Sequence, residues 1–337
     1  MVNYFFYCCL VGCLFVSNIT VAQVSAGTKL PIHPRLLLLN NEEQMIQKTI
    51  ASDKTWGTIH QAILAECDSL ENKAPVEHIK IGRRLLDKSR ECLRRVFYLS
   101  YAWRMTHNEK YLKRAQKELL AVSGFSDWNP SHFLDVAEMT LSVSIGYDWL
   151  YKDLTPASRS FIKEAILEKG LKPSMDPQYN GWLKASHNWN QVCNGGMAYG
   201  AMAIYEDEPE LAATIINRAI ESVKLPMKEY GPNGAYPEGY GYWGYGTSYN
   251  VMLISALEKA FGTDFRLPAM KGFLQTAGFM ENMTGPSHSP FNFFDAGSGE
   301  ELNPAMFWFE DKLKDPSLLW VERNHVKDSE AKKYVRN

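Results

Sequence analysis

Asp127-Trp128-Asn129-Pro130-Ser131, followed by the run 133–151, decides how this chain folds. The five leading residues read as a loop and cap, and the run behind them is apolar at helical spacing without period-2 alternation. The same pattern repeats outward in both directions. Upstream, Leu93, Val96, Phe97 and Tyr98 through Trp103 form a broad apolar stripe with Ser89 as the expected N-cap. Tyr111 to Val122 follows, with Leu112, Ala115, Leu119 and Leu120 on one face. Downstream, Thr155-Pro156 has the N-cap-then-proline order that opens a helix, expected to run to about Lys169 and stop at Gly170. Further helices are expected over 191–205, 208–230, 246–261 and 267–280, with shorter ones over 304–309 and 317–326. Short or Gly/Pro-rich connections make neighbouring helices pack as antiparallel hairpins. Eight or more such helices without a fixed-length repeat point to an all-α fold, its hairpins set around a ring or arc rather than in an α-solenoid.

The chain has 337 residues and is 45% apolar, enough for one large helical core. Its 36 basic and 38 acidic residues leave a formal net charge of −2, so no overall field attracts nucleic acid or an anionic membrane. A polyanionic partner would need a local basic cleft. Residues 4–21 are almost all apolar or small, and Thr20-Val21-Ala22 before Gln23 resembles a cleavage site. Residues 1–22 are therefore expected to be a signal peptide and 23–337 the folded domain. Export to the periplasm or cell envelope follows, with no stable membrane insertion after cleavage. Leu10-Val11-Gly12-Cys13 offers a competing reading as a lipoprotein box. Beyond the leader only Cys67, Cys92 and Cys193 remain, an odd number without a CxxC or Cys/His cluster. They read as buried small hydrophobes, and neither a metal site nor a cofactor is expected.

Two segments depart from the amphipathic pattern. His187-Asn188-Trp189-Asn190-Gln191 leads into Gly195-Gly196, and Tyr236-Pro237-Glu238-Gly239-Tyr240-Gly241-Tyr242-Trp243-Gly244-Tyr245-Gly246 lies about fifty residues on. Glycines allow close backbone approach, while Tyr and Trp offer flat faces with a polar tip. Sugar rings stack on such faces and their hydroxyls bond to amides and phenols, so the pair reads as a saccharide site.

Five segments resemble, in order, the heparinase II/III-like family of polysaccharide lyases. They are Trp128-Asn129-Pro130-Ser131-His132-Phe133-Leu134-Asp135, Tyr147-Asp148-Trp149-Leu150-Tyr151, the Asn188 segment, the Tyr242 segment and Phe291-Asn292-Phe293-Phe294-Asp295. The resemblance implies an incomplete (α/α) toroid of antiparallel hairpins followed by a β-sandwich. Because the sequence ends at Asn337, the expectation is a toroid truncated before that sandwich. It also implies β-elimination on a uronate-containing acidic polysaccharide or oligosaccharide. Such a reaction needs a group that neutralises the uronate carboxylate, a base for the C5 proton and an acid for the departing O4. Carried over, Asn188 meets the carboxylate, with Asn190 as rival. Tyr242 supplies the proton, with Tyr240 and Tyr245 as rivals. The family's assisting base, a histidine of the sandwich, is expected to lie outside this sequence. His132, His187, Trp189, Asn190, Glu238, Tyr240 and Tyr245 are the expected substrate-binding residues. Arg84 and Arg90 are further candidates for an anionic sugar, and His288 reads as a loop residue.

Two other readings stay open on sequence. A glycoside hydrolase on an (α/α) barrel would pair Glu238 with Asp135, Glu138 or Asp148 across a cleft. A sugar-binding module without catalysis would use the same aromatics.

Overall fold

The computed structural model describes residues 23–286, 289–297 and 302–328. The proposed leader with its Cys13 box, and His288, lie outside the described residues. The helices are α1 (Glu43–Ser52), α2 (Lys54–Ser69), α3 (Leu86–Thr106), α4 (Glu109–Ser123), α5 (Phe133–Trp149), α6 (Pro156–Ala165) and α7 (Lys172–Met175). They continue with α8 (Asn188–Ala203), α9 (Pro209–Ser222), α10 (Lys224–Met227), α11 (Gly239–Phe261), α12 (Thr276–Asn282), α13 (Ala305–Leu313) and α14 (Trp320–Asp328). No strand occurs among the described residues, and none of the described helices is long and apolar enough to cross a membrane.

Helices α3, α5, α8 and α11 stand side by side as an inner wall, with α4, α6 and α9 packed behind them. The result is an all-α incomplete toroid of hairpins, as the sequence predicts. Since each inner helix is followed by an outer return, the inner helices run parallel and their N-terminal turns meet at one end. Helix α5 is the centre of the wall, and every residue from Phe133 to Trp149 is buried. Between α3 and α8 it has no solvent face, which explains why its apolar pattern is continuous rather than a stripe.

The far end of α5 anchors the N-terminal segment. Buried Asp148 accepts hydrogen bonds from the backbone N–H of Arg35 (2.9 Å) and Leu36 (2.8 Å) and from His33 Nδ1 (2.6 Å). The Arg35 guanidinium donates to His33 Nε2 at 2.6 Å and pairs with Glu206. Asp148 thus serves this latch, away from the inner helices' N-terminal end.

Several boundaries differ from expectation. Ser89 is not an N-cap; α3 begins at Leu86, and Ser89 Oγ donates to the Asp135 carbonyl at 2.8 Å. Thr155 does cap α6 ahead of Pro156. The helix then passes through a π segment (Ile166–Leu171) instead of stopping at Gly170, and ends as α7. Gly170 is there for contact: a Cβ would lie 2.6 Å from Thr140 Oγ1. The stretch 208–230 breaks into α9, α10 and a 3-10 turn, and 267–280 helical residues are confined to a 3-10 turn and α12. Most consequential, α11 starts at Gly239, seven residues before the expected 246, so the Gly/Tyr segment is helix rather than loop. Cys67, Cys92 and Cys193 are buried free thiols.

Candidate active site

A cleft of about 1240 Å³ opens where the inner helices begin. Its walls come from α3 and the residues before it (Arg84, Arg90, Arg94), from α5 (Glu138), from α8 (Asn188, Trp189) and from α11 (Tyr242, Tyr245). Asp295 and Asn303 close one side. Four helix N-termini directed at one space favour negative charge there.

Helical periodicity sorts the aromatic cluster. Tyr242, Tyr245 and Tyr249 are spaced i, i+3, i+7 on α11 and all line the cleft. Tyr240 and Trp243 lie on the opposite face. Tyr240, expected to bind substrate, is buried outside the cleft, its hydroxyl accepting from Asn303 Nδ2 at 3.3 Å. Trp243 is core, its indole N–H donating to Thr276 at 2.8 Å. Gly246 lets α11 approach α8: a Cβ there would sit 2.2 Å from Gln191 Oε1 and 3.2 Å from the Asn188 Cβ. That close approach puts the two expected catalytic residues on one cleft.

Asn188 is the first residue of α8, with His187 at the N-cap position. Its backbone N–H donates to Glu238 Oε2 at 3.0 Å and its Nδ2 to Glu238 Oε1 at 2.8 Å. Tyr236 adds a third donor to Glu238 at 2.8 Å. Glu238 therefore lines the cleft chiefly as a bracket for Asn188. One N–H of the Asn188 amide is left for a ligand. Asn190, also expected to touch substrate, turns away. Its Nδ2 donates to Leu183 O (3.2 Å) and Ser222 Oγ (2.9 Å), and its Oδ1 accepts from Asn194 (2.8 Å).

The two key tyrosines differ. Tyr242 is partly exposed and donates to Asp295 Oδ2 at 3.3 Å. Partial burial, then the Asp295 carboxylate, holds its phenol above the ordinary value, against a smaller opposite pull from Arg84. Tyr245 donates to Glu138 beneath the Arg90 guanidinium, which lies 5.1 Å from its ring centre. Burial drives the Glu138 carboxyl upward despite its Arg90 partner at 3.1 Å. Burial, reinforced by Glu138, pushes the Tyr245 phenol well up too. Of the cleft's arginines, Arg90 is paired with Glu138 and Arg94 with Glu66. Arg84 is exposed, and its guanidinium has no partner among the described residues.

His132 and His187 both line the cleft in different states. His187 is exposed and its ring has no hydrogen bond among the described residues. His132 is buried, edge-on to Trp189 at 5.0 Å, with Nδ1 2.6 Å from Asp135 Oδ1. The other oxygen of Asp135 accepts from Leu85 N–H and Asn129 Nδ2, both at 2.6 Å. His132 was expected near substrate and Asp135 only as a hydrolase carboxylate; the i, i+3 spacing of the two carried the signal for the pair. Asp135, Glu138 and Glu238 all hold neighbours in place, and Asp148 lies at the latch. No freely disposed carboxylate pair of the hydrolase type is present among them.

No known family profile matches the chain, and no curated protein matches it in sequence. Among solved structures, an alginate lyase from Bacteroides ovatus is similar, with a TM-score of 0.63 and 12% identity. The match covers 90% of this chain and 98% of that one. The two proteins share a toroid fold.

Proposed function

We propose that this chain is a polysaccharide lyase of the heparinase II/III-like kind, cleaving a uronate-containing acidic polysaccharide by β-elimination. Asn188 meets the uronate carboxylate and Tyr242 protonates the departing O4. The observation carrying this reading is that Asn188 and Tyr242, from segments more than fifty residues apart, face one cleft beside the unpartnered Arg84. The fold shared with an alginate lyase supports it.

Asn188 is a neutral donor beside the negative Glu238, so it alone would receive a carboxylate poorly. Arg84 and the converging helix N-termini offset that repulsion and stabilise the enolate-like charge that develops as the C5 proton leaves. Tyr242, its phenol above the ordinary value near 10, keeps its proton at neutral pH and can donate it. His187, Trp189 and Tyr245 complete the sugar-facing wall. Export by the leader, with action in the periplasm or at the cell envelope, belongs to the same proposal.

The test is ultraviolet absorbance of the unsaturated C4=C5 product on alginate and on polyglucuronate. Tyr242→Phe is expected to lower kcat by about 100- to 10,000-fold, the usual worth of a general acid. New reducing ends without the unsaturated chromophore would overturn elimination in favour of hydrolysis.

A further inference from the structure

Tyr242 keeps its proton, so a different group must take one from C5. Resting on the elimination reading above, we propose that His132 is that general base, oriented by Asp135, so that the toroid carries both acid and base.

The argument is geometric. Asp135 is fully buried and accepts three hydrogen bonds, from His132 Nδ1, Leu85 N–H and Asn129 Nδ2. Two of these donors are unambiguous N–H groups, so the carboxylate is set up as an acceptor. With Asp135 as the acceptor, His132 donates through Nδ1, and the tautomer that does so carries its lone pair on Nε2. Nε2 has no hydrogen bond among the described residues, is not sealed off, and belongs to a ring that lines the cleft.

The molecule contains a contrasting pair. His33 and Asp148 have the same Nδ1–Oδ1 separation of 2.6 Å, but there the Nε2 lone pair accepts from Arg35 at 2.6 Å. One imidazole is closed by a guanidinium; the other, though buried, lines the cleft with an Nε2 that has no hydrogen bond among the described residues. His187 is the rival base, but it is exposed and no carboxylate orients it.

In the step, the Nε2 lone pair forms an N–H bond with the C5 proton. The C5–H electron pair becomes the C4=C5 double bond, and the C4–O4 bond breaks with its electrons on O4. O4 takes the Tyr242 phenolic proton. The His132 imidazolium, stabilised by Asp135, then loses its proton to solvent, and the tyrosinate regains one from solvent. Protons and electrons balance without a co-reactant.

The test measures kcat and KM on alginate and polyglucuronate for His132→Ala, His132→Gln and His187→Ala, with circular dichroism to verify folding. His132→Ala is expected to lose about 100- to 10,000-fold in kcat with KM little changed. Added imidazole should restore part of that rate, which repair of a purely structural defect would not do. If the alanine variant does not fold, His132→Gln fills the same space without a base and should show the same loss. A folded His132 variant with wild-type kcat overturns the inference, as does an imidazole-rescued loss at His187 instead. Loss with Tyr242→Phe but not with His132→Gln overturns this assignment alone. Absence of any C4=C5 product from the wild-type protein on either polymer overturns the elimination reading and the base assignment together.

Discussion

The two ends of α5 are built from the same parts and put to different use. At each end a buried aspartate binds a histidine Nδ1 at 2.6 Å and takes at least one backbone N–H besides. At the Asp148 end both ring nitrogens of the histidine are spent within the protein: Asp148 and Arg35 close His33, and Glu206 closes Arg35. At the Asp135 end one nitrogen is left over, and it belongs to a ring on the cleft. A His–Asp pair is therefore not in itself a sign of chemistry. The unspent lone pair and its access are what separate a latch from a reactive unit.

Substitution can break this comparison. Asp148→Asn leaves three donors without a full acceptor and is expected to cost about 3–5 kcal/mol, read as a lower Tm. The kcat of its folded fraction should be unchanged. Asp135→Asn should also lower Tm, but in addition reduce kcat of the folded fraction. Equal kcat losses in the two variants would mean that the ends do not differ in function.

A third variant sharpens the picture at the cleft end. Gly246→Ala puts a methyl group against Gln191 Oε1, which is itself held by the Tyr236 hydroxyl at 3.1 Å. The crowding is expected to cost about 1–3 kcal/mol. The displaced α8–α11 contact should also lower kcat, by up to about 100-fold if Asn188 and Tyr242 part by about 1 Å. A loss of stability at full kcat would show that the spacing of these helices does not set the site.

The smallest effect lies at the latch. Burial works against the charge on Glu206, but hydrogen bonding and charge from Arg35 prevail and hold its carboxyl below the ordinary value. A folded-state value below the unfolded one gives stability that is present above about pH 4.3 and is lost as pH falls through the folded value. On acidification, hydrogen exchange at the Arg35 amide should rise before exchange at Glu138 in the middle of α5. Simultaneous release would show that the latch is not an independent unit.

The fold was legible because helices of this kind write themselves at short range. The continuous apolar run 133–151 and the Thr155-Pro156 signal both correspond to helices in the structure. What misled was glycine. In Gly239 to Gly246 it suggested a loop, yet the aromatic side chains between the glycines pack well enough to keep α11 helical, and Gly246 serves helix contact. Once that segment is helical, i, i+3 spacing sends Tyr242 and Tyr245 to the cleft and Tyr240 to the interior. Asn190 was misread for a similar reason: two positions from Asn188 on a helix is a different face. The backbone donor to Asp135 was out of reach because Leu85 is 50 residues away, and only the tertiary fold brings its amide to the carboxylate.

The enclosure of α5 has a consequence for how this protein can change. With all seventeen positions from Phe133 to Trp149 buried, a substitution near Glu138 is felt by both neighbouring helices at once. His187 and the exposed residues of 289–297 border solvent and can be exchanged one at a time. Diversification of substrate preference is therefore confined to the edge of the bowl, while the machinery at its base can only be inherited whole.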